Sequence, residues 1–219
     1  VQKESPENLH EIQKILYIPV KKYPKTTVPY LTGDETQILL AQPNPSSYEG
    51  YRDMVLLSVL YDTGARVQEL VDIKVKDVRL TAPAVVTLHG KGSKTRTVPI
   101  VGKTSGLLKL YLDKKKYHAG IAKGDNYLFV NQKQQQLSRW GISYILDKYV
   151  EKAKSNSKFW VNFPVTPHVL RHSKSMHMLQ SGVNLIYIRD FLGHVDCSTT
   201  EVYYGKQVIM ESEPSNLLI

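Results

Sequence analysis

Apolar positions fall along this chain in runs that change period from one stretch to the next. Met54, Val55, Leu56, Leu57, Val59 and Leu60 form a strongly apolar run, which predicts a core helix over 48–62. Ahead of it, Thr32 and Glu35 make a capping box for a helix carrying Ile38, Leu39 and Leu40, and Asn44 and Pro45 break that helix. Residues 85–88 and 95–100 are β-rich runs flanking G-K-G-S-K, the pattern of a β-hairpin. An amphipathic helix is predicted over 104–117 and a short strand over 127–130. A longer helix begins at Leu137, with Trp140, Ile142, Ile145, Leu146 and Val150 expected inward.

The stretch 166–204 reads as three short helices. Thr166 is a suitable N-cap and Pro167 suits the first helical position, ahead of Val169, Leu170, Met176 and Leu179. Gly182 ends that helix. Asn184 caps the next, which carries Leu185, Ile188 and Leu192 and stops at Gly193. Tyr187 lies in the same apolar stripe and is expected in the core. A third helix is expected over 200–204. Together these elements predict an α+β chain, mainly α, with a small antiparallel sheet or hairpin packed on a helical core.

Composition narrows the classes. The 219 residues suffice for one domain with a proper core, with or without an appendage. A net charge of +9 points to a polyanionic partner, nucleic acid before simple solubility. One cysteine, Cys197, excludes an internal disulfide and a multi-cysteine metal site, and fits a reducing, cytoplasmic setting. No run approaches a membrane span and no signal-peptide pattern is present. The chain opens on Val, which fits a piece of a longer protein. Residues 1–28 read as a helix followed by a basic connector containing Lys21 and Lys22. Composition leaves a disordered terminus and a strap lying across DNA equally open.

Several polar residues are not absorbed by the apolar pattern. His168 and Arg171 are three apart and project from neighbouring points of one helix face. His194 follows Gly193, and Tyr203 comes nine residues later. Two imidazoles, a guanidinium and a phenol suit a single anion. Arginine matches phosphate oxygens with a planar fork of donors, and a tyrosine oxygen can attack phosphorus. Arg66 and Glu69 lie three apart after T-G at the head of a helix; by spacing alone they are a surface pair. Lys91, Lys94 and Arg96 crowd the hairpin, where solvated charges are the ordinary reading. Ser138, Arg139 and Ser143 offer further polar contacts without any spacing that demands them.

T-G-A-R, the G-K-G hairpin, H-V-L-R-H, L-G-H and T-T-E-V-Y together resemble, in order, the motifs of the tyrosine recombinases, also called the phage integrase family. The resemblance spans about 28–205. It implies that Arg66, Arg171 and His194 bind the scissile DNA phosphate, that Glu69 braces the site, and that Tyr203 is the nucleophile. Lys91, with Lys94 as runner-up, is then the hairpin lysine that reaches the leaving group, and His168 the proton acceptor. His172 is expected to support the site, with Glu69 as a hydrogen-bond partner; His89 and His177 are read as structural. Lys21, Lys22, Lys94, Arg96 and Arg139 are candidate DNA contacts.

The activity implied by the resemblance is that of a DNA breaking-and-rejoining enzyme of a bacterial mobile element, acting without metal, cofactor or nucleoside triphosphate. Its partners would be double-stranded DNA, further copies of itself as a dimer or tetramer, and accessory DNA-bending proteins, in the nucleoid-associated cytoplasm. A type IB topoisomerase-like or resolvase enzyme, or a non-cleaving DNA-binding protein of the same fold, is the competing reading. Residues 1–28 are expected to end a preceding domain, 29–205 to form the catalytic domain, and 206–219 to form a tail that docks on a neighbouring subunit or packs on its own domain.

Overall fold

Helix starts in this chain are set by the side chains just ahead of them. In the computed structural model, which describes residues 28–90, 92, 94–100, 102–119 and 126–193, Thr32 and Glu35 close a reciprocal cap on helix α1 (Gly33–Leu40). The Thr32 hydroxyl accepts from the Glu35 amide at 3.2 Å and the Glu35 carboxylate accepts from the Thr32 amide at 2.8 Å. Ser47 caps α2 (Tyr48–Thr63) through the Gly50 amide. Val55, Leu56, Leu57, Val59 and Leu60 are all fully buried, so α2 is covered on every side and forms the spine of the core.

Gly64 ends α2 in the left-handed conformation, with φ 55°, and the short helix α3 (Val67–Asp72) follows. A 3₁₀ turn (Val75–Asp77) leads into a three-stranded antiparallel sheet of β1 (Val78–Arg79), β2 (Val85–His89) and β3 (Thr95–Pro99), ordered β1-β2-β3. Val86 pairs with Val98 and Leu88 with Arg96. Alternation turns Val86, Leu88 and Val98 into the core and leaves Thr87 and Thr97 on the other face. Helix α4 (Lys103–Ala119) packs on α2. Helices α5 (Arg139–Ala153), α6 (Pro167–Gln180) and α7 (Leu185–Leu192) complete the described order. α6 also packs on α2, and α7 packs on α6.

Buried polar side chains fix these helices against one another. Asp53 is fully buried and accepts from Arg52, Lys148 and Tyr149, joining α2 to α5. His177 bonds the Tyr61 hydroxyl at 2.7 Å and the Leu31 carbonyl at 2.9 Å, and Ser173 accepts from the Leu31 amide. His89 bonds Asp77. Both histidines thus have the structural roles expected of them.

Three expectations are corrected. Trp140 is 84% exposed, not inward. At about 100° per residue it lies opposite the buried stripe of Ile142, Ile145, Leu146, Tyr149 and Val150, and shares its outer face with exposed Tyr144. Tyr187 is 70% exposed, because one residue further on Ile188 and then Leu192 take the buried line of α7. Residues 127–130 form no strand of the sheet. They make only isolated bridges, Lys74 with Tyr127 and Val130 with Gln136, although Leu128, Phe129 and Val130 are buried. The two-residue strand β1 and the 3₁₀ turn were not expected, being too short for any period to show. The helices expected within 1–28 and over 200–204, and the tail, lie outside the described residues. No helix among the described residues is long and apolar enough to cross a membrane.

Candidate active site

Two helix ends and two helix starts meet at the site. At the end of α2 the Thr63 hydroxyl donates to the Val59 carbonyl at 2.6 Å and accepts from the Ala65 amide, so the threonine of T-G-A-R closes the helix itself. The chain turns at Gly64 and places Arg66 as the N-cap of α3. A side chain on Gly64 would stand 2.9 Å from Leu192 Cδ2, so the close approach of α7 needs a glycine here as much as the left-handed turn does.

Glu69, three residues into α3, is 3% exposed. Its Oε2 accepts from the Arg66 amide at 2.8 Å and its Oε1 from Arg66 Nη1 at 3.0 Å. Arg96, coming across from β3, donates Nη1 and Nη2 to the same two oxygens at 2.8 and 2.7 Å. Burial alone would push the Glu69 carboxyl up. The Arg96 hydrogen bonds and charge, with the Arg66 amide and side chain, outweigh that and hold it at about 2. It is a buried carboxylate that stays ionised and braces two cations.

On the other side, Thr166 caps α6 through the Val169 amide with Pro167 in the first turn. This start puts His168 at the exposed end of the helix and Arg171 one turn deeper, 4% exposed. Arg171 donates Nη1 to the Gly64 carbonyl at 2.5 Å and Nη2 to the Leu192 carbonyl at 2.7 Å. Arg66 Nη2 donates to the Gly193 carbonyl at 3.3 Å, and its side chain is 47% exposed. Arg171 thus reaches the turn ahead of Arg66, and the two guanidiniums converge on the end of α7. His168 lies near both: partial burial, then Arg171 and Arg66, lower its pKa below 6.5. An imidazole so placed is neutral at physiological pH, which leaves one nitrogen free to accept a proton.

His172 does not fill the role expected for it. The Glu69 oxygens are taken by Arg66 and Arg96, while the His172 ring faces Tyr30 edge-on with centroids 6.2 Å apart and meets the Val28 backbone. One residue past Arg171 is a turn of about 100° around α6, enough to point it away from α3. Burial first, and then His168, lower its pKa to about 4, with the Val28 backbone opposing.

Arg96 has a place that its reading as a DNA contact did not contain. Its Nε donates to the Phe191 carbonyl at 3.0 Å while its fork holds Glu69. The signal was available: Arg96 alternates in phase with Val98 and Ile100, both buried. Lys94 and Arg139 are exposed, and Ser138 caps α5 through the Gly141 amide. Lys91, His194, Tyr203, Lys21 and Lys22 lie outside the described residues.

Comparison with known proteins shows the family and the fold. The model of the phage integrase family matches residues 29–208. The chain is 37% identical over 186 residues to tyrosine recombinase XerD of Staphylococcus epidermidis, which covers 85% of this chain and 61% of that protein. It is 41% identical over 174 residues to tyrosine recombinase XerC of Herpetosiphon aurantiacus, covering 79% of this chain and 54% of that one. The chain thus spans little more than half to three fifths of these relatives' length. Among solved structures, a XerA recombinase superposes with a TM-score of 0.71 at 26% identity, over 96% of this chain and 74% of the other.

Proposed function

The chain belongs to the phage integrase family, and from that premise we propose that it is the catalytic part of a site-specific DNA recombinase, the integrase or transposase of a mobile element. The observation that carries the reading is the convergence of Arg66 and Arg171 beside a histidine of lowered pKa. Two guanidiniums brought together from distant parts of the sequence are suited to a phosphate.

In the proposed reaction the Tyr203 oxygen attacks a DNA phosphorus in line with the bond to the 5′ oxygen. Its proton passes to His168. Arg66 and Arg171, with His194, stabilise the negative charge that grows on the non-bridging oxygens. The phosphorus–5′-oxygen bond breaks, and Lys91, or Lys94 in its stead, protonates the departing oxygen. A 3′-phosphotyrosyl link and a free 5′ hydroxyl result. The bond is exchanged rather than hydrolysed, so a second DNA 5′ hydroxyl reverses the step with a new partner. The balance requires no metal and no nucleoside triphosphate.

The same reading takes 29–205 as the catalytic domain, 1–28 as a connector whose Lys21 and Lys22 meet DNA, and 206–219 as the segment that docks on another subunit. It takes the active form as a homo-oligomer on double-stranded DNA, aided by DNA-bending proteins, in the bacterial nucleoid. Lys94 and Arg139 are then contacts to the DNA backbone.

The test is covalent capture. The full-length protein, given nicked duplexes carrying its element's ends, should form a denaturant-resistant adduct joined through Tyr203. An adduct that persists in Tyr203→Phe would overturn the assignment of the nucleophile; no adduct with any duplex would overturn the enzyme.

A further inference from the structure

Arg96 stands at a junction of three parts of the site. The register of β3 carries its side chain into the domain, where it is 14% exposed. Two of its nitrogens grip both oxygens of Glu69, and the third donates to the Phe191 carbonyl near the end of α7. It also lies against Gly193: a β-carbon there would stand 3.1 Å from both Arg96 Cδ and Nη1. Gly90, at the end of β2, is also close, since its β-carbon would come 3.4 Å from Glu69 Oε1. One planar group therefore ties together the hairpin, the helix that starts at Arg66, and the turn ahead of His194.

Glu69 in turn holds Arg66 by its amide and its Nη1. The orientation of Arg66 thus depends on a carboxylate whose own orientation depends on Arg96. We infer that Arg96 is a positioning residue of the strand-cleavage site, setting Arg66 and the end of α7 in register without contacting DNA. The inference rests on the recombinase reading for its chemistry, and on the hydrogen bonds alone for its geometry. Three of its five N–H donors are engaged by Glu69 and Phe191 and its side chain is 14% exposed, so the guanidinium is oriented by the protein and presents little of itself to solvent. Lysine is no substitute, because a single ammonium cannot span both carboxylate oxygens and a separate carbonyl.

The experiment uses the full-length protein and a pool of nicked duplexes randomised around the cleavage position; duplexes captured covalently by the wild type become the probe. On that probe Arg96→Lys should slow single-turnover cleavage by about 10- to 100-fold, the cost of a small misplacement of a catalytic group. DNA affinity and the reactive fraction should not change. Added guanidinium ion should restore part of the rate in Arg96→Gly. A lower reactive fraction that still cleaves at the wild-type rate would mean a folding role only, and overturns the inference. Weaker binding with a shallower salt dependence and a normal rate at saturation would mean a phosphate contact, and also overturns it. If the wild type captures no duplex, the recombinase reading fails on its own. Carboxyl-carbon NMR of Glu69 then decides the positioning role: an altered titration in Arg96→Lys supports it, and a wild-type titration overturns it.

Discussion

Arg66 and Arg171, separated by more than a hundred residues of sequence, donate to consecutive carbonyls of one turn, those of Gly193 and Leu192. Arg66 reaches its carbonyl from the solvent side and Arg171 from beneath. The difference in depth separates two effects that mutation usually mixes. Arg66→Ala removes an exposed arm whose neighbours remain held, since Arg96 still grips Glu69. It is expected to cut the cleavage rate by about 10²- to 10³-fold, as losing one donor to a developing oxyanion does. Unfolding in denaturant should change little. Arg171→Ala should lose activity at least as severely and also destabilise the fold by about 1–3 kcal/mol. It strips charged donors from the buried Gly64 and Leu192 carbonyls.

His168 carries the pH dependence. Partial burial and the flanking Arg171 and Arg66 hold its pKa below 6.5. If it takes the proton of the nucleophile, cleavage falls only as the ring becomes protonated, so the acid limb of the pH–rate profile should lie below pH 6.5. Removing a repelling positive charge raises the pKa. The acid limb of Arg66→Ala should therefore move to higher pH, measured as relative rate within the variant. An acid limb at the same pH in wild type and Arg66→Ala would separate His168 from the proton transfer.

Much of this was legible in the sequence because the signals were local. The caps at Thr32 and Thr166, the apolar run of α2 and the glycine stops at Gly64 and Gly193 are decided within a few residues. The pairing of Arg66 with Glu69 was legible for the same reason. Trp140 was misplaced because apolar character was taken ahead of its angle on the helix. Arg96 was read by its charge when its phase with Val98 was the better guide. That His172 turns to Tyr30, and that Arg171 reaches Gly64, are long-range facts that no local spacing contains. The helix angle of Trp140 makes its own test: Trp140→Ser should shift unfolding by no more than about 0.5 kcal/mol, while Leu146→Ala in the same helix should cost about 2–5 kcal/mol.

Acid stability should fall in two stages. Both Glu69 and His172 have folded-state pKa values below their ordinary ones, about 2 against 4.5 and about 4 against 6.5. Between those limits the unfolded chain binds more protons than the folded one, so stability rises with pH there and is lost as pH falls. His172 accounts for a loss from about pH 6.5 toward 4, and Glu69 for a second from about 4.5 toward 2. Denaturant unfolding measured across this range should show His172→Asn flattening the upper stage and Glu69→Gln the lower. A single unchanged slope in both variants would show that other groups carry the dependence.

Gly193 links the fold to the chemistry most directly. Its φ of 66° is the left-handed region, where a side chain costs about 1–2 kcal/mol, so Gly193→Ala and Gly64→Ala should both destabilise. The two positions differ in what the new methyl meets. At Gly64 it meets the end of Leu192, a flexible apolar side chain, so the expected harm is to stability. At Gly193 it meets Arg96 at 3.1 Å and must push the guanidinium that holds Glu69 and the Phe191 carbonyl. Gly193→Ala should therefore also slow cleavage in the molecules that remain folded. That second effect runs through Arg96, and in an Arg96→Ala background the methyl has nothing to displace. The double variant should then be hardly slower than Arg96→Ala alone, a coupling readable as a non-additive pair of single-turnover rates. Additive losses would place the effect of Gly193 in the chain leading to His194 rather than in Arg96.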